Sequence, residues 1–274
     1  THVTCWNNSR WDRIRHKRAI DTMPSDFGMA VKDAGIAHVE FGKQLHSYAM
    51  GHRLIPYAIM GKEMWPKHRR SPKSRPVEWG EHNQLLKYMS VLDRRSYSNF
   101  ATHHPDTTAR QWRDEWIAFL WLLWWTGASQ GDAANLNAEN IIWSEGVLEF
   151  KRCKWVNPDE LAPCRVAITK GGQLEALLKS LPKKGELFPL LKRIGTSNRS
   201  RPFMCAAKAL GLEKISLHGY RFGWAIRAKE GGMDVQDRMA SLGHNTMLMA
   251  DHYSKKAKVK PASIEIIDGG LKAA

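Results

Sequence analysis

The chain has 274 residues, 43% of them hydrophobic, which is enough for two domains or for one large domain with a basic extension. Its 42 Lys and Arg outnumber 27 Asp and Glu, and the resulting net charge of +15 favours a polyanionic partner, most commonly nucleic acid, although ribosome-like or membrane-surface binding also fits. The most apolar run, residues 116–125, has about half the length needed to span a bilayer, which argues against a membrane-spanning protein and favours a cytoplasmic one.

The cysteines and histidines do not show the spacing of a metal site. None of the four cysteines lies in a CxxC pair, and we expect reduced thiols in a cytosolic protein. They are Cys5, Cys153, Cys164 and Cys205. Cys153 and Cys164 could face each other across a hairpin, although packing is the simpler interpretation. His103 and His104 are adjacent, so their side chains point apart, and no third ligand is near them in the sequence. We therefore expect neither a metal nor a cofactor.

The first 75 residues carry fourteen Lys and Arg against six Asp and Glu. The densest basic cluster comprises Arg10, Arg13, Arg15, Lys17 and Arg18. This cluster is either a DNA-contacting arm or a solvated face.

Ser25 or Asp26 is suited to cap a short helix. Further on, apolar residues from Val39 to Tyr48 recur at roughly helical spacing, and Gly51 is a suitable end for that helix.

A basic, proline-rich stretch follows at residues 65–76. Its three prolines exclude a regular helix, so we predict an extended linker that can lie along a phosphate backbone. Its candidate DNA contacts are Arg69, Arg70, Lys73 and Arg75. We place the domain boundary within this linker, which divides the chain into residues 1–70 and residues 71–274.

Residues 71–274 predict a mainly α fold with a small antiparallel β-sheet (α+β). Apolar spacing predicts a helix that opens at residues 77–82 and contains Leu85 and Met89, and further helices over residues 112–125, 133–136, 174–181 and 204–210. The five tryptophans of residues 112–125 are expected in the core. Thr126 and Gly127 end that helix, and Ser129 caps the next. Alternating residues predict strands at 141–143, 147–154 and 164–169, whereas residues 94–110 and 182–189 are predicted to be loops.

The clearest functional signal lies in residues 216–253. If a helix begins near Leu217, then His218 and Arg221 lie on neighbouring turns of one face and can reach a single anion together. A Leu-Gly-His sequence ends at His244, and Tyr253 lies nine residues further. A helix cap or a half-buried aromatic would explain any one of these residues. The set, in this order, suits phosphoryl transfer to a tyrosine.

From about residue 36 to residue 260, this order resembles the tyrosine recombinase (phage integrase) family. The matching pieces are the Thr-Gly turn at residues 126–127, Asp132, the strand lysine Lys154, His218, Arg221, His244 and Tyr253. The resemblance implies that residues 1–70 are part of a helical core-binding domain and that residues 71–274 are the catalytic domain, the two clamping double-stranded DNA. It also implies a homo-tetramer on paired DNA sites. Such proteins often pass a C-terminal segment to a neighbour, and Ile264, Ile266 and Ile267 could form that segment or pack in cis.

The resemblance also implies a role for each matched residue. Tyr253 would attack the scissile phosphodiester, leaving a 3′-phosphotyrosyl bond and a free 5′-hydroxyl. Lys154 would protonate the leaving oxygen, His218 would act in proton transfer, and Arg221 and His244 would hold the non-bridging oxygens. A tyrosine hydroxyl with a pKa near 10 needs somewhere for its proton to go. Because a covalent intermediate conserves the phosphodiester energy, neither ATP nor a metal is required.

One position departs from the family pattern. The family's first catalytic arginine follows the Thr-Gly turn by two residues, where this chain has Ser129, although the acidic residue that accompanies it is present as Asp132. Losing one such donor would cost on the order of a hundred- to thousand-fold in rate. The candidates for a replacement guanidinium are Arg152, Arg201 and Arg227. Lys151 is a rival to Lys154, since a small slip in register would still leave a cation near the hairpin.

Three functions fit these residues. The first is site-specific DNA recombination or integration through Tyr253. The second is an integrase-like protein that binds DNA but cleaves it weakly or not at all because of Ser129. The third is a DNA-binding regulator in which the helices around residues 221–229 lie in a groove without chemistry.

Overall fold

The structure is a computed structural model that describes residues 7–66, 74–91, 108–154 and 161–259, apart from the side chains of residues 196 and 197. Most of the loop predicted over residues 94–110 lies outside these ranges. So do nine residues that the sequence singled out: Cys5, Arg69, Arg70, Lys73, His103, His104, Ile264, Ile266 and Ile267. The chain divides into two compact units, Thr1–Ser71 and Pro72–Ala274.

The first unit is a small helical cluster. Its helices are α1 (Asp12–Arg15), α2 (Pro24–Val31) and α3 (Ile36–Gly51), with 3-10 turns at Ser9–Trp11, Ala19–Asp21 and Lys62–Met64. Buried aromatic rings of Trp11, Phe27 and Trp65 form much of its core. Helix α2 begins earlier than either predicted cap, because Asp26 accepts a hydrogen bond from the backbone amide of Met23 at 2.9 Å and so caps the helix from inside its first turn.

Helix α3 ends at Gly51 as predicted, but its buried face matches the predicted one only in part. The buried residues are Val39, Gly42 and His46, whereas Tyr48 is 58% exposed. Gly42 has no side chain to clash with the ring of Trp11, which would lie 2.8 Å from a Cβ at this position. His46 is buried without loss of a polar partner, since its Nε2 accepts a hydrogen bond from the amide of Met60. Tertiary packing therefore buries a small and a polar residue beside the predicted Val39, and leaves Tyr48 outside.

The second unit is mainly helical with one small sheet, so the predicted fold class is confirmed. Its helices are α4 (Trp79–Ser90), α5 (Ala109–Thr126), α6 (Gln130–Ala134), α7 (Gln173–Ser180), α8 (Pro189–Arg193), α9 (Gly195–Ala209), α10 (Leu217–Glu230), α11 (Val235–Leu242) and α12 (Met247–Tyr253). Its strands are β1 (Ile141–Ile142), β2 (Val147–Phe150) and β3 (Cys164–Ala167). A 3-10 turn, Ala138–Asn140, precedes β1.

Helix α5 lies at the centre of this unit and packs against α4, α7 and α10. Trp112, Trp116 and Trp124 are buried in the core, as predicted, whereas Trp121 and Trp125 are only partly buried and pack against it. The helix ends at Gly127, which adopts the left-handed conformation with φ +63°. A Cβ there would lie 2.8 Å from Trp224 and 2.9 Å from Leu242. The turn therefore brings α5 directly against α10 and α11.

The three strands form an antiparallel sheet in the order β1-β2-β3, with Phe150 opposite Cys164. Strand β2 ends at Phe150, not at residue 154 as predicted. Past that point the backbone amide of Cys153 donates to the carboxylate of Asp132 at 2.9 Å, not to a neighbouring strand. Strand β3 likewise ends at Ala167. Cys164 is buried and Cys153 is exposed, and both are free thiols.

Two helices were missed or shortened in the sequence interpretation. Residues 182–189 were predicted to be a loop, yet Pro189 opens α8, where its missing amide costs nothing. Helix α9 begins at Gly195, nine residues before the predicted start, and contains Pro202 in its interior. Burial of Phe203 and of Arg199, which donates to the carbonyl of Leu191 at 2.6 Å, holds the polar half of α9 in place. In the described part of the chain, no helix has the length and apolar character that crossing a membrane requires.

Candidate active site

The site is built where α10, α11 and α12 meet. Helix α10 begins at Leu217, as predicted, so His218 and Arg221 lie one turn apart near its start. Helix α11 ends in the left-handed Gly243, with φ +59°, and this turn directs the following His244 back towards α10. Tyr253 is the last residue of α12. The structure thus brings together the four residues that the sequence placed in order.

Tyr253 is surrounded by aromatic rings and contacts His218. Its hydroxyl lies 3.1 Å from Nε2 of His218. The phenol ring stacks on Phe222 at 4.7 Å between centroids and on His244 at 4.8 Å. The guanidinium carbon of Arg221 lies 5.2 Å from the same ring centroid. These contacts hold the phenol oxygen beside a base and a cation.

Arg221 is the most deeply buried cation of the cluster, with 2% of its surface exposed. It donates to the carbonyl of Gly127 at 3.1 Å and to the carbonyl of Leu242, and its Nη2 lies 3.0 Å from Nε2 of His244. A guanidinium can only donate, so this imidazole nitrogen is the acceptor and the proton of the neutral ring lies on Nδ1. Burial, followed by repulsion from Arg152, lowers the pKa of Arg221 to about 10.

Both histidines are neutral at pH 7. Burial first, and then the positive charges of Arg221, Lys154 and Arg152, lower the pKa of His218 to about 4. Burial and the same three cations, with Arg221 ahead of the others, lower the pKa of His244 to about 3. A neutral His218 can accept a proton at Nε2, which suits a group next to a tyrosine hydroxyl.

Two buried donors in this cluster lack a partner among the described residues. They are Nε of Arg221 and Nδ1 of His244. A buried N–H without a partner costs roughly 1–3 kcal/mol, and such groups are typical of a site that binds a polar ligand. Excess positive charge beside them favours an anion.

The positive charge of Lys154 helps to lower the pKa of both His218 and His244. This favours Lys154 over Lys151 as the lysine of the site. Lys154 follows the end of β2 and its side chain is exposed. Partial desolvation of its amine, followed by repulsion from Arg152 and Arg221, lowers its pKa. A lowered pKa makes the ammonium a better proton donor.

Ser129 serves a different purpose from the arginine of the family pattern. It is the N-cap of α6, where its Oγ accepts from the amide of Asp132 at 3.3 Å and donates to the Asp132 carboxylate at 2.8 Å. The other oxygen of Asp132 accepts from the amide of Cys153. Nε of Arg152 lies 3.4 Å from the Asp132 carboxylate, and these two side chains are 6% and 2% exposed.

The three candidate replacement arginines lie in different environments. Arg152 belongs to the cluster just described. Arg227 stacks on the ring of Trp124 at 3.5 Å and donates to the Trp124 carbonyl, so it fastens α10 to α5. Arg201 is exposed on α9. Of these three arginines, Arg152 is the one that lies next to the Asp132 carboxylate.

The basic residues of the N-terminal cluster have intramolecular partners. Arg10 donates to the carbonyl of Lys32, Arg15 and Arg18 pair with aspartates, and Lys17 binds Asp26 at 2.7 Å. Arg13 is exposed. Their role in binding DNA stays a prediction.

Arg75 is also engaged within its own unit. It forms a two-pronged pair with Glu81 and donates from Nε to the carbonyl of Glu213 at 2.9 Å. The pairing holds the segment before α4, so the structure gives this arginine an anchoring role beside the DNA contact predicted for it.

Two supporting pairs were missed in the sequence. Arg238 of α11 is 5% exposed and donates from Nη1 to Oγ of Ser254 at 2.8 Å, directly after Tyr253. Lys229 of α10 pairs with Asp251 of α12 at 3.3 Å. Together these bonds hold the chain two residues before Tyr253 and one residue after it. A lone arginine in a polar helix gives no sequence signal for such a role.

Comparison with known proteins identifies the fold. No protein-family model and no curated protein matches this sequence. Among solved structures, the Tn1549 transposon integrase in complex with transposon right end DNA matches with a TM-score of 0.61 and 10% identity, covering 98% of this chain and 93% of the other. A lambda integrase dimer bound to a COC′ core site matches with a TM-score of 0.57 and 16% identity, covering 96% and 91%. The XerH site-specific recombinase bound to difH substrate matches with 0.53 and 13%, covering 91% and 70%. The chain therefore has the fold of the tyrosine recombinases.

Within the described residues, no group of three or more His, Cys, Asp or Glu could hold a metal ion.

Proposed function

We propose that this chain is a tyrosine-type site-specific recombinase that cuts and rejoins double-stranded DNA through a covalent bond to Tyr253. The observation that carries the proposal is the contact between the Tyr253 hydroxyl and Nε2 of His218 at 3.1 Å, beside a buried Arg221. A nucleophile and a base within hydrogen-bond reach of each other, with a cation next to the nucleophile's ring, are the elements that phosphoryl transfer to a tyrosine requires.

The first step forms one bond and breaks one. The phenol oxygen of Tyr253 attacks the scissile phosphorus while its proton passes to the neutral ring of His218. The bond from phosphorus to the 5′-oxygen breaks, and that oxygen takes a proton from Lys154. The products are a 3′-phosphotyrosyl bond and a free 5′-hydroxyl, so the energy of the phosphodiester is retained. Attack by a 5′-hydroxyl on the phosphotyrosine reverses each transfer and reseals a strand.

The non-bridging oxygens gain negative charge in the transition state. Arg221 and His244 hold two donors, Nε and Nδ1, that have no partner among the described residues, in the buried cluster beside the phenol ring. Preset donors of this kind stabilise charge as it develops, because they need no reorganisation at the moment of reaction.

Duplex DNA as the substrate is supported by two observations. The chain carries a net charge of +15, and the matched structures with its fold include an integrase in complex with transposon DNA and a recombinase bound to its substrate. We further propose that the first unit is part of a core-binding domain, that the second is catalytic, and that the protein works in the cytoplasm as a homo-tetramer on paired sites.

A nicked suicide substrate tests the proposal. Its sequence is the one that the full chain selects from a randomised pool of duplexes, and the nick lets the freed 5′-end diffuse away so that covalent protein–DNA adduct accumulates. Wild-type protein should form adduct, and Tyr253→Phe should form none while binding the same duplex with unchanged affinity. Phenylalanine keeps the ring contacts of Tyr253 and removes only its hydroxyl. The matched control is Tyr57→Phe, at an exposed tyrosine, which should behave as wild type.

Two outcomes would contradict the proposal. Tight, sequence-selective binding without adduct indicates the DNA-binding protein that has lost cleavage. Adduct that persists in Tyr253→Phe indicates another nucleophile.

A further inference from the structure

Ser129 stands where the family has its first catalytic arginine, and its uncharged side chain cannot supply a cation to a phosphate. Ser129 is committed to capping α6 and to the Asp132 carboxylate. The carboxylate, in turn, is buried and has a guanidinium against it. That guanidinium belongs to Arg152, which lies two residues past the end of β2 and twenty-three residues after Ser129 in the sequence.

Arg152 and Arg221 approach the same short stretch of backbone. Nη1 of Arg152 donates to the carbonyl of Gly243 at 3.1 Å, and Arg221 donates to the carbonyl of Leu242. These two residues are consecutive, with Cα atoms about 3.8 Å apart. His244 comes next, and its ring contacts Tyr253. Two guanidiniums, from the hairpin and from α10, are thus fixed at the turn that carries a site histidine.

The pair leaves donors and charge for an anion. The bonds to Asp132 and Gly243 engage two of the five N–H donors of Arg152. Both guanidiniums are almost fully buried, and Asp132 offsets one positive charge. The charge of Arg152 is among the causes that lower the pKa of Arg221, His218, His244 and Lys154. A buried excess of positive charge of this kind is stabilised when a phosphate enters.

We propose that Arg152 is a catalytic residue, whose guanidinium, held by Asp132 and the Gly243 carbonyl, contacts a non-bridging oxygen of the scissile phosphodiester alongside Arg221. It supplies from the β2–β3 connection the cation that Ser129 does not. This inference rests on the proposed function, since it assigns a further residue of the same site.

Adduct formation on the selected, nicked duplex measures the role of Arg152. In single-turnover conditions Arg152→Ala should form Tyr253 adduct about 10²- to 10³-fold more slowly than wild type. Arg201→Ala removes an exposed arginine of α9 and should react at the wild-type rate. Wild-type protein that forms no Tyr253-dependent adduct overturns the proposed function itself. Wild-type adduct with an unimpaired Arg152→Ala overturns only the inference about Arg152.

A neutral substrate separates a contact with phosphate from a merely structural role. Replacing one non-bridging oxygen of the scissile phosphate by methyl removes the charge that the guanidinium would stabilise. On this methylphosphonate duplex, the deficit of Arg152→Ala relative to wild type should shrink to within about tenfold. An equal deficit on both substrates would show that Arg152 acts only by holding the fold, and would overturn the proposal.

A conservative variant keeps the test decisive if removal of the buried ion pair prevents folding, as judged from thermal unfolding. Arg152→Lys retains a charge beside Asp132 but loses the forked donors. Its adduct rate on the ordinary phosphodiester should be at least about tenfold below wild type, with the deficit reduced on the methylphosphonate. A wild-type rate for Arg152→Lys on the ordinary duplex, or an equal deficit on both, overturns the proposal.

Discussion

At the scale of single residues, Ser129 shows how a serine is used where the family pattern has an arginine. Its hydroxyl accepts the amide of Asp132 and donates to the Asp132 carboxylate, so the same side chain caps α6 and orients the partner of Arg152. A cap residue of this type contributes about 1 kcal/mol. Residue 129 therefore has a structural role here even though it carries no guanidinium.

Ser129→Ala should lower the free energy of unfolding by about 1 kcal/mol, because the first turn of α6 loses its cap. It should also slow adduct formation, since Asp132 then orients Arg152 less firmly. Urea denaturation and the nicked-duplex rate measure the two effects. Thr108→Ala is the matched control, because Thr108 caps α5 with the same type of bond to Gln111. It should lose similar stability and keep the wild-type rate; equal rates in both variants would contradict the role assigned to Ser129.

At the scale of elements, the turn after α5 connects the core to the site. Gly127 ends α5 in the left-handed conformation, and its carbonyl accepts a hydrogen bond from Arg221. The same residue lies where a Cβ would press on Trp224 and Leu242. Packing of three helices and the position of a site arginine thus depend on one residue without a side chain.

Gly127→Ala should destabilise the protein for two separate reasons. A left-handed alanine costs roughly 1–2 kcal/mol, and overpacking against Trp224 and Leu242 adds about 1–3 kcal/mol. Gly211→Ala isolates the first effect, because Gly211 also has positive φ (+68°) but has no neighbouring atom within 4 Å of the place where a Cβ would lie. Chemical denaturation of both variants should show the larger loss at Gly127. Equal losses would mean that the neighbouring side chains move aside freely.

The elements that could be predicted from sequence are those specified by local chemistry. The tryptophan-rich α5, the Thr-Gly turn, the Ser129 cap and the start of α10 follow from apolar spacing and from cap residues. The start of α9 could not be predicted, because it depends on burial of Arg199 and Phe203 by distant parts of the chain. The end of β2 likewise depends on a bond from Cys153 to Asp132.

The site divides in the same way. The order of His218, Arg221, His244 and Tyr253 could be found because they lie in one short region with fixed spacing. Arg152 was one of three candidates, and its selection needed the fold, since the contacts to Asp132 and Gly243 span 20 and 91 residues of sequence. Sequence distance does not report which of several arginines reaches a common carboxylate.

At the scale of the whole molecule, burial of histidines links stability to pH. Burial lowers the pKa of His82 and His218 to about 4 and that of His244 to about 3. In the unfolded chain these groups bind protons near pH 6.5, so the unfolded state gains protons first as the pH falls. The stability that these three neutral histidines contribute is therefore fully present above pH 6.5 and decreases towards pH 4. Glu115 acts in the opposite direction between about pH 7 and 4.5, because burial raises its pKa to about 7.

His82 offers a direct test, since it lies in the core and outside the proposed active site. Its ring is fully buried between Trp121 and Trp124, and Nδ1 lies 3.0 Å from the hydroxyl of Tyr220. A shift from 6.5 to about 4 corresponds to roughly 3 kcal/mol lost on acidification. His82→Gln should be less stable than wild type at pH 7, because the ring contacts are lost, yet its stability should fall less between pH 7 and 4.5.

The measurement is the free energy of unfolding in urea at pH 7 and pH 4.5 for wild type, His82→Gln and His16→Gln. His16 is exposed, and His16→Gln is the matched control for the substitution itself. Between these two pH values the decrease in stability should be smaller in His82→Gln by about 2 kcal/mol. A parallel decrease in all three proteins would show that His82 takes up its proton within the folded core, and would contradict the pH dependence assigned to its burial.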